Sequence, residues 1–237
     1  MDEFIRNGWL SKEELILHRM RSFHQRRIEE LTLGQSQDKQ DRTGKLLIHC
    51  IPEQAITYRN RYSARDLQKH GQELRAPDCK YWNSRFNADA FACNDSPGEM
   101  SSYSQLYRDG RLEAVLARAT YSNEQVRFLC DSLCERVILQ VTRQYLGFCK
   151  AIGISPPIWL FCTLVDVEGA RTRPDWRTEG HVIDRPIVEL PEMEIAALDI
   201  NVDTHLRPLL DCIWNAMGFE ASLNYDDAGN RRERRRQ

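Results

Sequence analysis

Apolar residues recur at steps of three and four in three parts of the chain, and fall into runs or alternation in several others. The longest periodic stretch runs from Ser122 to Ile152. Val126, Leu129, Cys130, Leu133, Val137, Val141, Tyr145, Phe148 and Ile152 share one face of a helix there. Ser122 and Gln125 form a capping box, Gly153 marks the end, and Pro156-Pro157 forbids continuation. The spacing predicts a helix about 45 Å long at 1.5 Å per residue. Its apolar face needs a broad partner, and the strand candidates around it point to a sheet.

Ser11-Lys12-Glu13-Glu14 is a second capping box, opening a helix to about Leu33 with Leu15, Met20, Phe23, Ile28 and Leu31 as its apolar positions. A polar linker is expected from Gly34 to Gly44. Lys45 to Ile51 reads as a central strand with two apolar faces, ended by Pro52. Arg65 to Leu74 is expected to hold a short helix and Phe86 to Cys93 one strand. Ser102–Tyr107, Arg108-Asp109-Gly110-Arg111 and Leu112–Ala119 read as a hairpin, since Asp-Gly suits positive φ in a tight turn. Pro157 to Val167 is an interior strand, and Ile187 to Leu198 holds one or two short strands around Pro191. Asp203 or Thr204 caps a last helix, with Pro208 in its first turn and Gly218 after its end. Ser222 to Tyr225 is a candidate for a final short strand.

The resulting fold class is α+β, with mixed α/β as the alternative: a mainly antiparallel sheet, the long helix across one face, and an N-terminal helix. The expected organisation is an N-terminal helical segment over 1–35, a body over 44–228 and an Arg-rich flexible tail over 229–237.

Composition changes this picture little. No apolar run reaches membrane-span length, and Met1 to Arg6 lacks the basic-then-apolar pattern of a secretory signal, so a cytoplasmic protein with no membrane association is expected. Eight cysteines without a CxxC pair read as small buried thiols in a reducing compartment. The net charge of −2 hides a tail of +4 over Asn230 to Gln237.

The segments Phe23-His24-Gln25-Arg26-Arg27-Ile28-Glu29-Glu30-Leu31, Leu46-Leu47-Ile48-His49-Cys50-Ile51-Pro52 and Asn87-Ala88-Asp89-Ala90-Phe91 occur in that order. Gln105 to Glu113 and Leu209 to Gly218 follow them. In order and spacing they resemble the C-terminal region of bacterial proteins with a Schlafen AlbA-type DNA-binding domain, a group also described as ATP-binding or divergent AAA. The first segment resembles the Arg-rich helix that closes the AlbA-type domain, and the second the "L-H-x-x-P" strand. The rest of that domain has no counterpart in this sequence. No catalytic residue of Schlafen relatives carries over. The resemblance implies a downstream module working with a separate partner, which could supply the AlbA-type domain, in a bacterial defence or mobile-element setting.

Candidate chemistry is sparse. Neither GxxxxGK[ST] nor GxGxxG occurs, so no phosphate loop, cofactor or metal ligand set is expected. Asp66 with Asp78-Cys79-Lys80 has the cast of a metal-dependent nuclease, as more weakly do Asp166 with Glu168, and Glu189, Glu192 and Glu194. Acids on turns and solvated faces are the plainer reading. Asp203 and His205 read as a helix cap and a first-turn histidine, and His49 as a hydrogen-bonded core residue.

Two stretches interleave cations with rings: Tyr58, Arg59, Arg61, Tyr62 and Arg65, and Lys80, Tyr81, Trp82 and Arg85. Cations meet phosphates and rings stack on unpaired bases. Tyr, Trp and Arg equally mark protein interfaces. The tail arginines Arg231, Arg232, Arg234, Arg235 and Arg236 could add a phosphate grip. The leading expectation is a non-catalytic module that binds a protein partner within a nucleic-acid-associated bacterial complex. The alternatives are direct nucleic-acid binding through the two stretches, and a metal-dependent nuclease.

Overall fold

The structure is a computed structural model in which residues 11–33, 43–57, 61–95, 102–174, 177–226 and 229–232 are described. The expected linker from Gly34 to Gly44 falls almost wholly outside them.

Helix α1 (Lys12–Leu33) begins at the expected box: Ser11 N donates to Glu14 Oε2 at 2.6 Å and Glu14 N to Ser11 Oγ at 3.2 Å. Strand β1 (Lys45–Pro52) is followed by two short helices, α2 (Glu53–Thr57) and α3 (Ala64–His70). The segment 83–94 is a hairpin of β2 (Asn83–Phe86) and β3 (Ala90–Asn94), where one strand was expected. The reason is Asn87, whose side-chain oxygen accepts from the N–H of both Asp89 and Ala90 and turns the chain. The hairpin of β4 (Tyr103–Tyr107) and β5 (Leu112–Leu116) forms as read, with Gly110 at φ 93° supplying the left-handed residue.

The long helix is shorter than its periodicity suggests. Residues 120–129 form a third hairpin, β6 (Thr120–Asn123) and β7 (Val126–Leu129), and helix α4 begins at Asp131 and ends at Ile152. Its 22 residues span about 33 Å. The alternation of Val126 and Phe128 is compatible with a strand, and pairing to β6 and β9 (Ala170–Arg171) wins over the helical spacing. Strand β8 (Ile158–Val165) is interior, bonded to β1 on one side and to β10 (Ile187–Glu189) and β11 (Met193–Ile195) on the other. Helix α5 (Val202–Asn215) is capped by Asn201, whose side chain accepts from Thr204 N, not by Asp203 or Thr204. Pro208 therefore sits in the second turn, where its missing N–H leaves one helical bond unmade. Tyr225 makes an isolated bridge with Arg231 and no strand.

The main sheet has eight strands in the order β10-β8-β1-β5-β4-β3-β2, with β11 also on β8, and every pair in it is antiparallel. One face carries Leu46, Ile48, Cys50, Leu112, Leu160 and Leu164, packed against Val137, Ile138 and Tyr145 of α4 and Leu209 and Trp214 of α5. The other face carries Leu47, Ile51, Val115, Phe161 and Val165, packed against Ile16, Met20, Phe23 and Ile28 of α1. The fold is α+β with helices on both faces. Helix α1 is thus one of its layers. Five of the eight cysteines are buried, three are half-buried, and none is in a disulfide. No described helix is long and apolar enough to cross a membrane.

Candidate functional site

Period two puts His49, Glu113 and Thr163 on the α1 side of the sheet, while α1 brings His24 and Arg27 to meet them. Glu113 is fully buried and is the hub. Arg27 grips it with Nε at 2.7 Å and Nη2 at 2.8 Å, Tyr103 Oη donates at 2.6 Å, and His49 Nε2 lies at 2.9 Å. Burial alone would raise its pKa, but hydrogen bonds from His49 and Arg27 hold it well below the usual carboxylate range. Burial drives His24 down to about 3 and lowers His49 as well, so both rings are neutral at pH 7.

Those states assign the protons along the chain. His49 Nε2 donates to Glu113, which leaves its Nδ1 bare. His24 Nδ1, 2.6 Å away, must then donate to His49, and Thr163 Oγ1 donates to His24 Nε2 at 2.8 Å. Both ring nitrogens of His24 and of His49 thus have a partner within the relay.

A Thr–His–His–Glu relay invites comparison with a nucleophile and its base. Thr163 is fully buried, and its strand is paired on both sides, to Leu47 and Glu189. The backbone N–H groups there are spent in the ladder, so none converges beside the hydroxyl to hold a developing oxyanion. The relay is a lock between α1 and the sheet. A groove of about 470 Å³ lies alongside, between α1 and β8–β10, and is bridged by Arg21, bonded to both oxygens of Glu192 at 2.7 and 2.8 Å.

Composition had not marked this cluster. Its signal was a lone Glu in the apolar run Leu112–Leu116, a lone His in β1, and a His and Arg three apart on α1. Three of the segments that carry the family resemblance, 23–31, 46–52 and 105–113, meet here.

A second buried carboxylate, Glu135 of α4, accepts from Trp214 Nε1 at 2.7 Å, Asn224 Nδ2 at 2.8 Å and Ser222 Oγ. Burial raises its pKa against those bonds. Arg231 reaches it at 3.9 Å, and Arg232 N bonds Asn224 O at 2.7 Å. Arg231 and Arg232 thus both contact the body. Arg234, Arg235 and Arg236 lie outside the described residues.

Tyr58 and Arg59 of the first Arg/aromatic stretch also lie outside them. Arg61 and Arg65 are exposed. Tyr62 is half-buried, its hydroxyl bonded by Gln54 at 3.0 Å, and it sits beside Gly110 and Ile154 at the C-terminal end of α4. Lys80 and Tyr81 lie beside Leu133, at the N-terminal end of the same helix. From Leu133 to Ile152 the helix rises about 28 Å, so the two stretches do not form one surface.

The second stretch leads into the sheet's end. Trp82 is half-buried beneath the Arg75 guanidinium, 4.0 Å from its ring centroid. Tyr81 is 85% exposed and Phe86 55% exposed, and all four β2 residues face solvent. Beyond β2 the ladder has no further strand among the described residues.

The acidic groups that resembled nuclease parts have other partners. The Asp66 carboxylate accepts from the hydroxyl of Ser63, the N-cap of α3, Asp78 pairs with Arg136 at 3.0 Å, and Asp166 lies 3.6 Å from Arg127. Asp203, expected as a helix cap, pairs instead with Arg143. His205 bonds the Glu194 carbonyl at 2.8 Å. Among the described residues no three His, Cys, Asp or Glu side chains gather to hold a metal ion. Burial pushes the thiols of Cys93 and Cys130 up to about 11, away from reactive thiolates.

No protein-family model matches the chain, and neither the curated proteins nor the solved structures include a significant match.

Proposed function

We propose that the chain is a non-catalytic interaction module of a nucleic-acid-associated bacterial complex, which docks a protein partner on the free edge of its sheet. The observation that carries this is β2: the last strand of the sheet among the described residues, exposed at all four positions, with the exposed rings of Phe86 at its end and Tyr81 before it. An open strand edge is a template for another chain. The opposite edge is broken into three-residue strands around Pro191 and tied to α1 through Glu192, which is how edges are normally blunted.

The bacterial setting and a partner with an AlbA-type domain come from the resemblance. The convergence of three of its segments on Glu113 supports treating α1 as part of this module. The cell interior is the compartment that suits eight free thiols. The test is affinity capture from the native host at native expression, with Ser84→Pro as control. We expect a defined protein to co-purify with the parent and to be lost with the variant. A partnerless monomer, or a partner indifferent to Ser84→Pro, would overturn the proposal.

One observation favours direct nucleic-acid binding as the second reading: the exposed Tyr81 and Phe86 rings stand beside Lys80 and Arg85. Fluorescence anisotropy with single-stranded oligonucleotides at 50 and 200 mM salt separates the two. Salt-sensitive binding lost in Lys80→Ala/Arg85→Ala would favour it.

A further inference from the structure

Resting on that docking reading, we infer that the β2 edge takes an extended segment of alternating acidic and apolar residues from the partner protein. The register carries the argument. Asn87 N bonds Ala90 O, so in the β2–β3 ladder residues 83, 85 and 87 bond inward. Arg108 N to Asp89 O and Asp95 N to Ser102 O set the same alternation across β3 and β4. Ser84 and Phe86 therefore aim their N–H and C=O groups outward, where a strand would bond.

The side chains sort by face. Phe86 lies on the α4 side near Phe91, with ring centroids 6.1 Å apart, and Arg85 points to the α1 side. An added strand would set apolar residues beside Phe86 and, one step along on the other face, acidic residues beside Arg85. At the entry to β2, a hollow of about 350 Å³ is lined by Lys80, Tyr81, Leu116, Arg118 and Leu133. Lys80, Arg85 and Arg118 are exposed and have no carboxylate partner among the described residues. Asp78, beside the hollow, is occupied by Arg136 at 3.0 Å. Asp95 also lines it, and Asp89 stands at the hairpin tip. Among the described residues, three cations without a carboxylate partner and two aromatic rings along an edge with no further strand fit an acidic–apolar strand better than a basic one.

The experiment pans a display library of random 12-residue peptides against the full-length chain. Enriched peptides are titrated by fluorescence anisotropy and mapped by amide hydrogen exchange. We expect alternating acidic and apolar sequences. We expect at least tenfold weaker binding in Lys80→Glu/Arg85→Glu and in Ser84→Pro, and at least tenfold slower exchange at the Ser84 and Phe86 amides. Circular dichroism confirms that the variants fold. Proline at an outward-facing edge position leaves the protein's own ladder intact. Enrichment of neutral or basic peptides, or binding indifferent to the charge reversal, overturns the inference. If the host partner is nevertheless lost on Ser84→Pro, edge docking stands and only the acidic chemistry fails. If no peptide binds and Ser84→Pro changes nothing, both fail. Oligonucleotide binding that needs Lys80 and Arg85, with no peptide enriched, also overturns it.

Discussion

Glu113 shows how much one residue can organise. It is an ionised carboxylate inside an apolar strand, tolerable because Arg27, Tyr103 and His49 surround it. Removing one partner of a buried pair leaves an uncompensated charge. Arg27→Ala should cost about 3–5 kcal/mol in urea unfolding, whereas exposed Arg26→Ala should cost under about 0.5 kcal/mol. The histidines add a pH dependence of definite sign. His24 is lowered to about 3 by burial, and His49 moves the same way, so the folded state binds fewer protons than the unfolded chain. Their contribution is complete above the unfolded pKa of about 6.5 and is lost as pH falls from there towards 3. The urea midpoint should fall between pH 7.5 and 5, and fall less in His24→Gln. An unchanged slope in that variant would place the acid sensitivity elsewhere. Residue type alone marks His49 and Glu113 as odd within apolar strands; that they meet depends on β1 and β5 pairing Leu47 with Val115.

At the scale of elements, the clearest lesson is the start of α4. Val126 and Leu129 fit the helical stripe and also fit a strand, because a short apolar stretch satisfies both periods. The structure makes a two-residue hairpin turn at Glu124-Gln125, at φ 47° and 69°, which sequence alone gives little reason to expect. L-residues pay steric strain there, and Asn-Gly is the favoured pair. Gln125→Gly should therefore stabilise the protein by about 0.5–1 kcal/mol, seen as a higher melting temperature. If residues 122–130 were helical in solution, the same change would destabilise by a similar amount. At the other end of the chain the local code was sufficient. Ser11→Ala should cost about 1 kcal/mol, read by urea unfolding, because the capping box is intact.

For the whole molecule, the decisive feature is that α1 covers one face of the sheet. A chain lacking residues 1–43 should expose Leu47, Ile51, Phe161 and Val165 together. It should bind a hydrophobic dye and aggregate, whereas an independent body would stay soluble and monodisperse. The sheet also decides which candidate residues can cooperate. It places Tyr62 and Tyr81 near opposite ends of α4, and it leaves β2 as the last strand on its side among the described residues.

Local chemistry in the sequence determined α1 with its box, the buried strands β1 and β8, the Gly110 hairpin and the α+β class, since periodicity, caps and turns act over a few residues. Only the tertiary structure decided the partners of Glu113 and Glu135, the docking of Arg231, the true start of α4 and the place of β2 at the end of the strand order. Those depend on strand order and register, and residues tens of positions apart meet only once the whole sheet has formed.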